Sequence, residues 1–244
     1  MKYLEQQGVG VEVGRSIVPI VAGAILFDLN IGDRSVRPEL DEGFHACINA
    51  GFNVAEQGSV GADTGATVGK TRGLENSVKG GIGTTSITLG GGIIVGSLVA
   101  VNAIGSIHDP DSGELIAGPR NKDRSMLSAM DDLLSGSCID PFCLGHNTTI
   151  GVVATNAPLT KVQVNRLAMN AYNGLALSIR PSHLSGDGDT MFAVSTGDSL
   201  GTNSSQGMNS LIAAVVRTTS HAIVNAVGSA RSLADVPSAK ELLK

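Results

Sequence analysis

Apolar positions recur along this chain with two different periods, and the period separates strands from helices. Residues 16–29 (SIVPIVAGAILFDL) form a near-continuous apolar run with Pro19 near its start, which predicts a strand buried on both faces. Residues 80–89 and 93–101 lie in or beside a Gly-rich stretch, 58–96, and read as two more strands. The β-branched run 148–155 (TTIGVVAT) predicts another, and 191–195 a last short one. Helical signals appear elsewhere. Residues 38–50 (PELDEGFHACINA) place Pro at the first turn, acids near the N-terminus and Gly51 after the end. Residues 160–179 are amphipathic, open with Thr160 and Gln163 at capping-box spacing, and stop before Pro181. Residues 208–230 carry Leu211, Ile212, Val215, Val216, Ile223 and Val227 along one long helix. Residues 1–8 resemble the tail of a short helix closed by Gly8, and 109–113 (DPDSG) predicts a turn. Residues 120–144 are polar and Ser-rich, with a short helix at 126–134; an exposed, poorly packed connector is expected there. Grouped strands, grouped helices and Gly-rich turns predict a layered α/β sandwich rather than strict βαβ alternation.

Composition narrows the class. A chain of 244 residues can bury one sizeable core, and a single domain spanning 1–244 is expected. With 3% aromatics and no Trp, that core must be built from Val, Ile, Leu and Ala. The formal charge of −5, with no basic run, argues against nucleic acid as a partner. Three cysteines, Cys47, Cys138 and Cys143, are too few and too unevenly spaced for a disulfide framework or a zinc site. Residues 1–8 lack the apolar run of a signal peptide, and the most apolar stretch, 92–104, is short for a membrane span and contains Asn102. The default expectation is a soluble, cytoplasmic protein without a membrane partner.

Three local constellations carry candidate chemistry. Residues 65–71 (GATVGKT) resemble a phosphate-binding loop, but only three residues separate the two glycines. A tight glycine turn with a solvated Lys70 is the blander reading. Residues 145–150 (GHNTTI) place a hydroxyl at the first residue of a buried strand, directly after a Gly-containing turn. Asn147-Thr148-Thr149 also matches a glycosylation sequon, which an intracellular chain would not use. A hydroxyl so placed can attack the carbonyl before it and cut the chain between Asn147 and Thr148. An α-amine has an ordinary pKa of about 7.7–8.0, near the operating pH. A terminal Thr148 would therefore hold nucleophile and base in one residue. Finally, Asp187 and Asp189 in 187–190 (DGDT) can converge on one cation such as an ammonium, or simply form a turn.

Residues 58–70 (GSVGADTGATVGK), 80–105, 147–161 (NTTIGVVATNAPLTK) and 187–196 (DGDTMFAVST) together resemble the P1 (S58) peptidase family. That family comprises L-aminopeptidase/D-esterases, β-peptidyl aminopeptidases and nylon-oligomer hydrolases. The resemblance implies an αββα four-layer sandwich similar to N-terminal-nucleophile hydrolases, with different connectivity. It implies self-cleavage between Asn147 and Thr148 into chains 1–147 and 148–244, which stay associated, usually in tetramers. Thr148 maps onto the nucleophile, Asn102 onto the oxyanion-stabilising amide, Asp187 and Asp189 onto the acidic pair, and Lys70 onto a lysine of the nylon-oligomer branch. The implied function is hydrolysis of a small amide or peptide substrate, with neither metal nor other cofactor required.

Two departures from the family pattern shape the expectations. The family carries a long segment ahead of the position of Met1, including early strands, and its absence here is expected to expose a sheet edge and open the substrate pocket. Where the nylon-oligomer branch places a Tyr beside the active site, this chain has Phe27, so one hydroxyl donor is gone. An inactive remnant that keeps the sandwich is the alternative reading. His146 adjoins Thr148 in sequence, but neighbouring strand residues point to opposite faces, so a Ser/Thr–His pair is not expected. His45, His108, His183 and His221 read as ordinary surface or core residues.

Overall fold

In the computed structural model the described residues are 1–138, 147–197 and 207–243. The helices are α1 (Lys2–Gln6), α2 (Leu40–Asn49), α3 (Ala129–Leu134), α4 (Lys161–Ser178), α5 (Met208–Ser229) and α6 (Ala239–Leu242). The strands are β1 (Val11–Val13), β2 (Ser16–Val18), β3 (Thr67–Val68), β4 (Val78–Lys79), β5 (Gly81–Thr88), β6 (Ile94–Asn102), β7 (Ser106–His108), β8 (Leu115–Ala117), β9 (Thr148–Thr155), β10 (Ile179–Arg180) and β11 (Thr190–Ser195).

The organising unit is a four-stranded sheet in the order β11-β9-β6-β5 with α4 and α5 packed on one face. β5, β6 and β9 are antiparallel neighbours, whereas β11 runs parallel to β9. Parallel neighbours need a crossover, and α4 supplies it. The chain therefore contains a βαβ unit among the described residues, within a sheet that otherwise lacks strict alternation, as expected. Alternation along β9 sends Thr149, Gly151, Val153 and Thr155 into the interior and leaves Thr148, Ile150, Val152 and Ala154 half-buried on the other face. Along β6, Val95, Val99 and Val101 meet Leu167, Leu175, Leu211, Val215, Ile223 and Val227 in one continuous core. This is the aliphatic, nearly aromatic-free core that the composition demands.

Close approach of α5 to the sheet depends on one glycine above all. A Cβ on Gly83 would lie 2.1 Å from the Ala222 carbonyl oxygen, so any side chain there would force the helix away. α5 is also the one helix among the described residues long and apolar enough to cross a membrane; here its apolar side packs on β5 and β6. α4 opens with the expected box: the Thr160 side chain accepts from the Gln163 amide, and Gln163 Oε1 accepts from the Thr160 amide.

One sequence expectation fails and a second holds only in part. Residues 16–29 do not form a buried strand: only Ser16–Val18 pair, with β1, and Ile20 and Ile25 are 77% and 90% exposed. A strand buried on both faces needs neighbours at both edges and a layer on each side, and the described residues supply neither. Pro19, without an N–H, follows the last paired residue. The 120–144 connector is largely exposed over its described residues, 120–138, as expected, but it is anchored at α3. Ala129 and Asp132 of α3 are buried, and Asp132 receives Arg72 Nη2 at 2.8 Å, Arg72 Nε at 2.9 Å and the Thr71 hydroxyl at 2.9 Å. A two-pronged guanidinium–carboxylate contact fixes orientation as well as charge. Cys143 and His146 lie outside the described residues. Among the four layers expected, the helix pair and its sheet account for two. No other sheet among the described residues exceeds three strands; the largest is β10-β7-β8.

Candidate active site

The site forms where β6 ends and β9 begins. Antiparallel register sets Asn102, the last residue of β6, opposite Thr148, the first of β9. Asn102 is buried, and each end of its amide has a partner. Its Oδ1 accepts from Lys70 Nζ at 2.6 Å and from the Thr67 amide at 3.1 Å; its Nδ2 donates to the Phe27 carbonyl at 3.1 Å. That geometry assigns the amide its orientation, since a lysine ammonium can only donate. Phe27 thus meets Asn102 through its backbone oxygen, a group that a Tyr-to-Phe difference does not touch.

Lys70 is not the solvated lysine of the blander reading. It is only 5% exposed and also reaches the Asn102 carbonyl at 3.3 Å. The loop before it is no phosphate cradle either. The amides of Gly65, Ala66, Thr67, Gly69 and Lys70 are taken by Asp28 Oδ2, the Asp63 carbonyl, Asn102 Oδ1, and the Gly105 and Ile104 carbonyls. A nest needs free N–H groups, and this loop offers none at those positions. Behind Lys70 lies a buried pair that sequence reading did not anticipate. Lys79 Nζ donates to the carbonyls of Thr64 and Ala66, and the Asp63 carboxylate accepts from the Val101 amide. Burial pushes the Asp63 carboxyl up to about 7, against the pull of the Val101 amide, Lys79 and Lys70. Burial likewise pushes Lys79 down to about 8, although Asp63 and Asp28 favour its charged form.

On the other side of Thr148, residues 183–189 wrap the start of β9. The Gly188 amide donates to the Asn147 carbonyl at 2.8 Å, and the Thr148 hydroxyl donates to the same oxygen at 2.6 Å. The carbonyl of the Asn147–Thr148 bond therefore carries two donors. Gly188 passes so close that a Cβ on it would lie 2.8 Å from Thr148 Oγ1. Asp189 Oδ1 accepts from the Thr149 amide at 2.8 Å, while Asp187 Oδ2 accepts from the Leu184 amide at 3.0 Å. The two carboxylates thus grip different backbone amides around Thr148 instead of lining one strand face, because β11 begins only at Thr190.

Asp187 Oδ1 is buried and has no hydrogen-bond partner among the described residues. Burial, and after it the negative charge of Asp189, push the Asp187 carboxyl up to about 6; the Leu184 amide, Lys70 and His183 pull the other way. A carboxyl raised above its ordinary 3.8 favours the fold while protonated, and that contribution fades as pH rises through about 6. With one Asp187 oxygen buried and unpartnered among the described residues and the Asp189 carboxylate acting on it, the pair offers an acceptor suited to an arriving ammonium.

All five residues singled out for chemistry, Lys70, Asn102, Thr148, Asp187 and Asp189, thus meet at one end of the β6–β9 ladder. Sequence reasoning missed three others. Gly188 brings its amide to the Asn147 carbonyl. His183 and Tyr172 hold Asp189: His183 Nδ1 lies 3.0 Å from Asp189 Oδ2, and the Tyr172 hydroxyl donates to the Asp189 carbonyl at 3.2 Å. Only proximity of His183 to the acidic pair hinted at this.

Comparison with known proteins places this geometry in context. Residues 1–239 match the model of Peptidase family S58. A Mycobacterium tuberculosis protein named as an uncharacterized aminopeptidase is 41% identical over 206 residues, covering 81% of this chain and 56% of that protein. A 6-aminohexanoate-oligomer endohydrolase of Paenarthrobacter ureafaciens is 27% identical over 187 residues, covering 75% of this chain and 52% of its own. Among solved structures, the L-aminopeptidase D-Ala-esterase/amidase of Ochrobactrum anthropi, described as a variant of the Ntn hydrolase fold, aligns with a TM-score of 0.53 at 21% identity, covering 83% of this chain and 55% of that one. A Pyrococcus horikoshii protein aligns with a TM-score of 0.51 at 25% identity over the same shares. The chain spans about half the length of the curated relatives it matches. The fold is accordingly an α/β sandwich of the Ntn-hydrolase type, and the chain belongs to peptidase family S58.

Proposed function

We propose that this chain is an amide hydrolase that activates itself by cutting the Asn147–Thr148 bond and then uses Thr148 as its nucleophile. The observation that carries this reading is the Thr148 hydroxyl 2.6 Å from the Asn147 carbonyl oxygen, with the Gly188 amide on the same oxygen. Attack of Oγ on the carbonyl carbon converts the amide to an ester as the proton passes from oxygen to nitrogen. Water then opens the ester, leaving a carboxylate on Asn147 and a free amine on Thr148. The charge that builds on the Asn147 oxygen is met by the Gly188 N–H, a fixed dipole that needs no rearrangement.

In the mature site the Thr148 amine takes the hydroxyl proton as Oγ attacks a substrate amide. Nδ2 of Asn102, with its amide held by Lys70 and Thr67, is the donor for the substrate oxyanion. Asp187 and Asp189 receive the ammonium of the substrate or of Thr148 and orient it. The substrate is a small amide or peptide of the kind that named relatives cleave, and the processed pieces 1–147 and 148–244 remain one unit that assembles in tetramers.

Two tests follow from the geometry. In Gly188→Ala the added methyl would sit against Thr148 Oγ1; self-cleavage is expected to slow about 10–100-fold, the usual scale for a misplaced reacting group. Uncut chain should persist on denaturing gels at times when the wild type is fully cut. Hydrolysis of an amino-acid amide should also depend on Asp187. If its carboxylate binds the ammonium, kcat/KM rises with pH through about 6, and Asp187→Asn removes that limb. A profile flat across that range would count against ammonium capture at Asp187.

A further inference from the structure

We propose that His183 is a positioning residue for the nucleophile, holding Asp189 so that its second oxygen keeps the start of β9 in register. The inference rests on the function proposed above. His183 Nδ1 lies 3.0 Å from Asp189 Oδ2, and the His183 amide reaches the same oxygen at 3.4 Å. The other oxygen, Oδ1, is the one that accepts from the Thr149 amide at 2.8 Å. Asp189 is thus a rigid link with His183 at one end and the residue after the nucleophile at the other. The Asp189 side chain is 5% exposed and that of His183 37% exposed, so the link runs from the rim of the site to its floor.

The imidazole is itself held. Its ring stands 5.2 Å from that of Tyr172 on α4, tilted by 57°. The Tyr172 hydroxyl donates to the Asp189 carbonyl and accepts from the Met191 amide, each at 3.2 Å. The charged and titratable groups around His183 are Asp189, Asp187 and Tyr172, with Lys70 acting on Asp187 from across the site. Its backbone has φ +59°, in the left-handed region that a non-glycine residue rarely occupies. Histidine, like Asn and Asp, enters that region several-fold more readily than most residues, and its ring supplies the contact to Asp189.

Two substitutions separate a donor role from a backbone role. Asn and Gly both suit left-handed backbone, but only His183→Asn returns an N–H donor near the position of Nδ1. Self-cleavage rates of purified full-length precursor, with Thr148→Ala as the uncut control, are expected to be near wild type for His183→Asn and at least about tenfold lower for His183→Gly. In the cleaved enzyme the loss should fall on kcat rather than KM. Equal rates for the Asn and Gly variants, or a Gly variant at wild-type speed, overturn the proposal while leaving the Thr148 mechanism intact. A wild-type chain that never cuts itself overturns both.

Discussion

Thr148→Ala is expected to leave the chain as one uncut 24.8 kDa polypeptide without amide hydrolase activity. The hydroxyl is the only group of Thr148 that can attack the Asn147 carbonyl, and without the cut no terminal amine forms. Loss of a nucleophile in hydrolases that use a side-chain oxygen costs on the order of 10⁶-fold in kcat, so residual turnover should be below detection. The fold should survive, because Thr148 is half-buried on the sheet face away from α4 and α5 and its removed atoms fill no part of the core. Thr148→Ser separates chemistry from packing: it keeps the hydroxyl and should still cut. An alanine variant that is cleaved at the same bond would show that another group performs the attack.

Asn102→Asp carries the second largest expected effect. Aspartate keeps an oxygen for Lys70 Nζ and for the Thr67 amide, now as a stronger acceptor, but it has no N–H to offer. If Nδ2 stabilises the oxyanion of the substrate, kcat should fall about 10²–10³-fold. Self-cleavage, which draws on the Gly188 amide, should be affected far less. Circular dichroism of the variant serves as the control for folding. Wild-type kcat in Asn102→Asp would remove Asn102 from the chemistry and reduce it to a support for Lys70.

Those two residues were legible in the sequence for different reasons. Thr148 stands out because a hydroxyl begins a β-branched run directly after a glycine-containing turn, and chain order alone makes it adjacent to the bond it would cut. Asn102 was reached only through resemblance; nothing in its neighbours says that β6 will end opposite β9. Long-range register is a property of the assembled sheet. His183 and Gly188 were missed for a related reason. Their importance depends on how residues 183–189 fold back over Thr148, which no local periodicity encodes.

Helices and central strands were read well because each satisfies a local rule and a burial pattern at once: α4 has its capping box, and β5, β6 and β9 their β-branched runs. Residues 16–29 satisfied only the apolar half of such a rule. Hydrophobicity states a demand for cover and does not say what provides it, and among the described residues Ile20 and Ile25 remain exposed. Lys70 shows the opposite error. A lysine that follows a glycine in a Gly-rich loop looks solvated, yet the end of β6 supplies two oxygens that hold it buried.

Freshly purified full-length wild-type chain, analysed by intact mass and stepwise N-terminal degradation, bears most directly on the account. Two pieces are predicted, one beginning at Met1 and the other with Thr-Thr-Ile-Gly. A single unbroken chain that nonetheless hydrolyses amides, or a new terminus at any other bond, would contradict it.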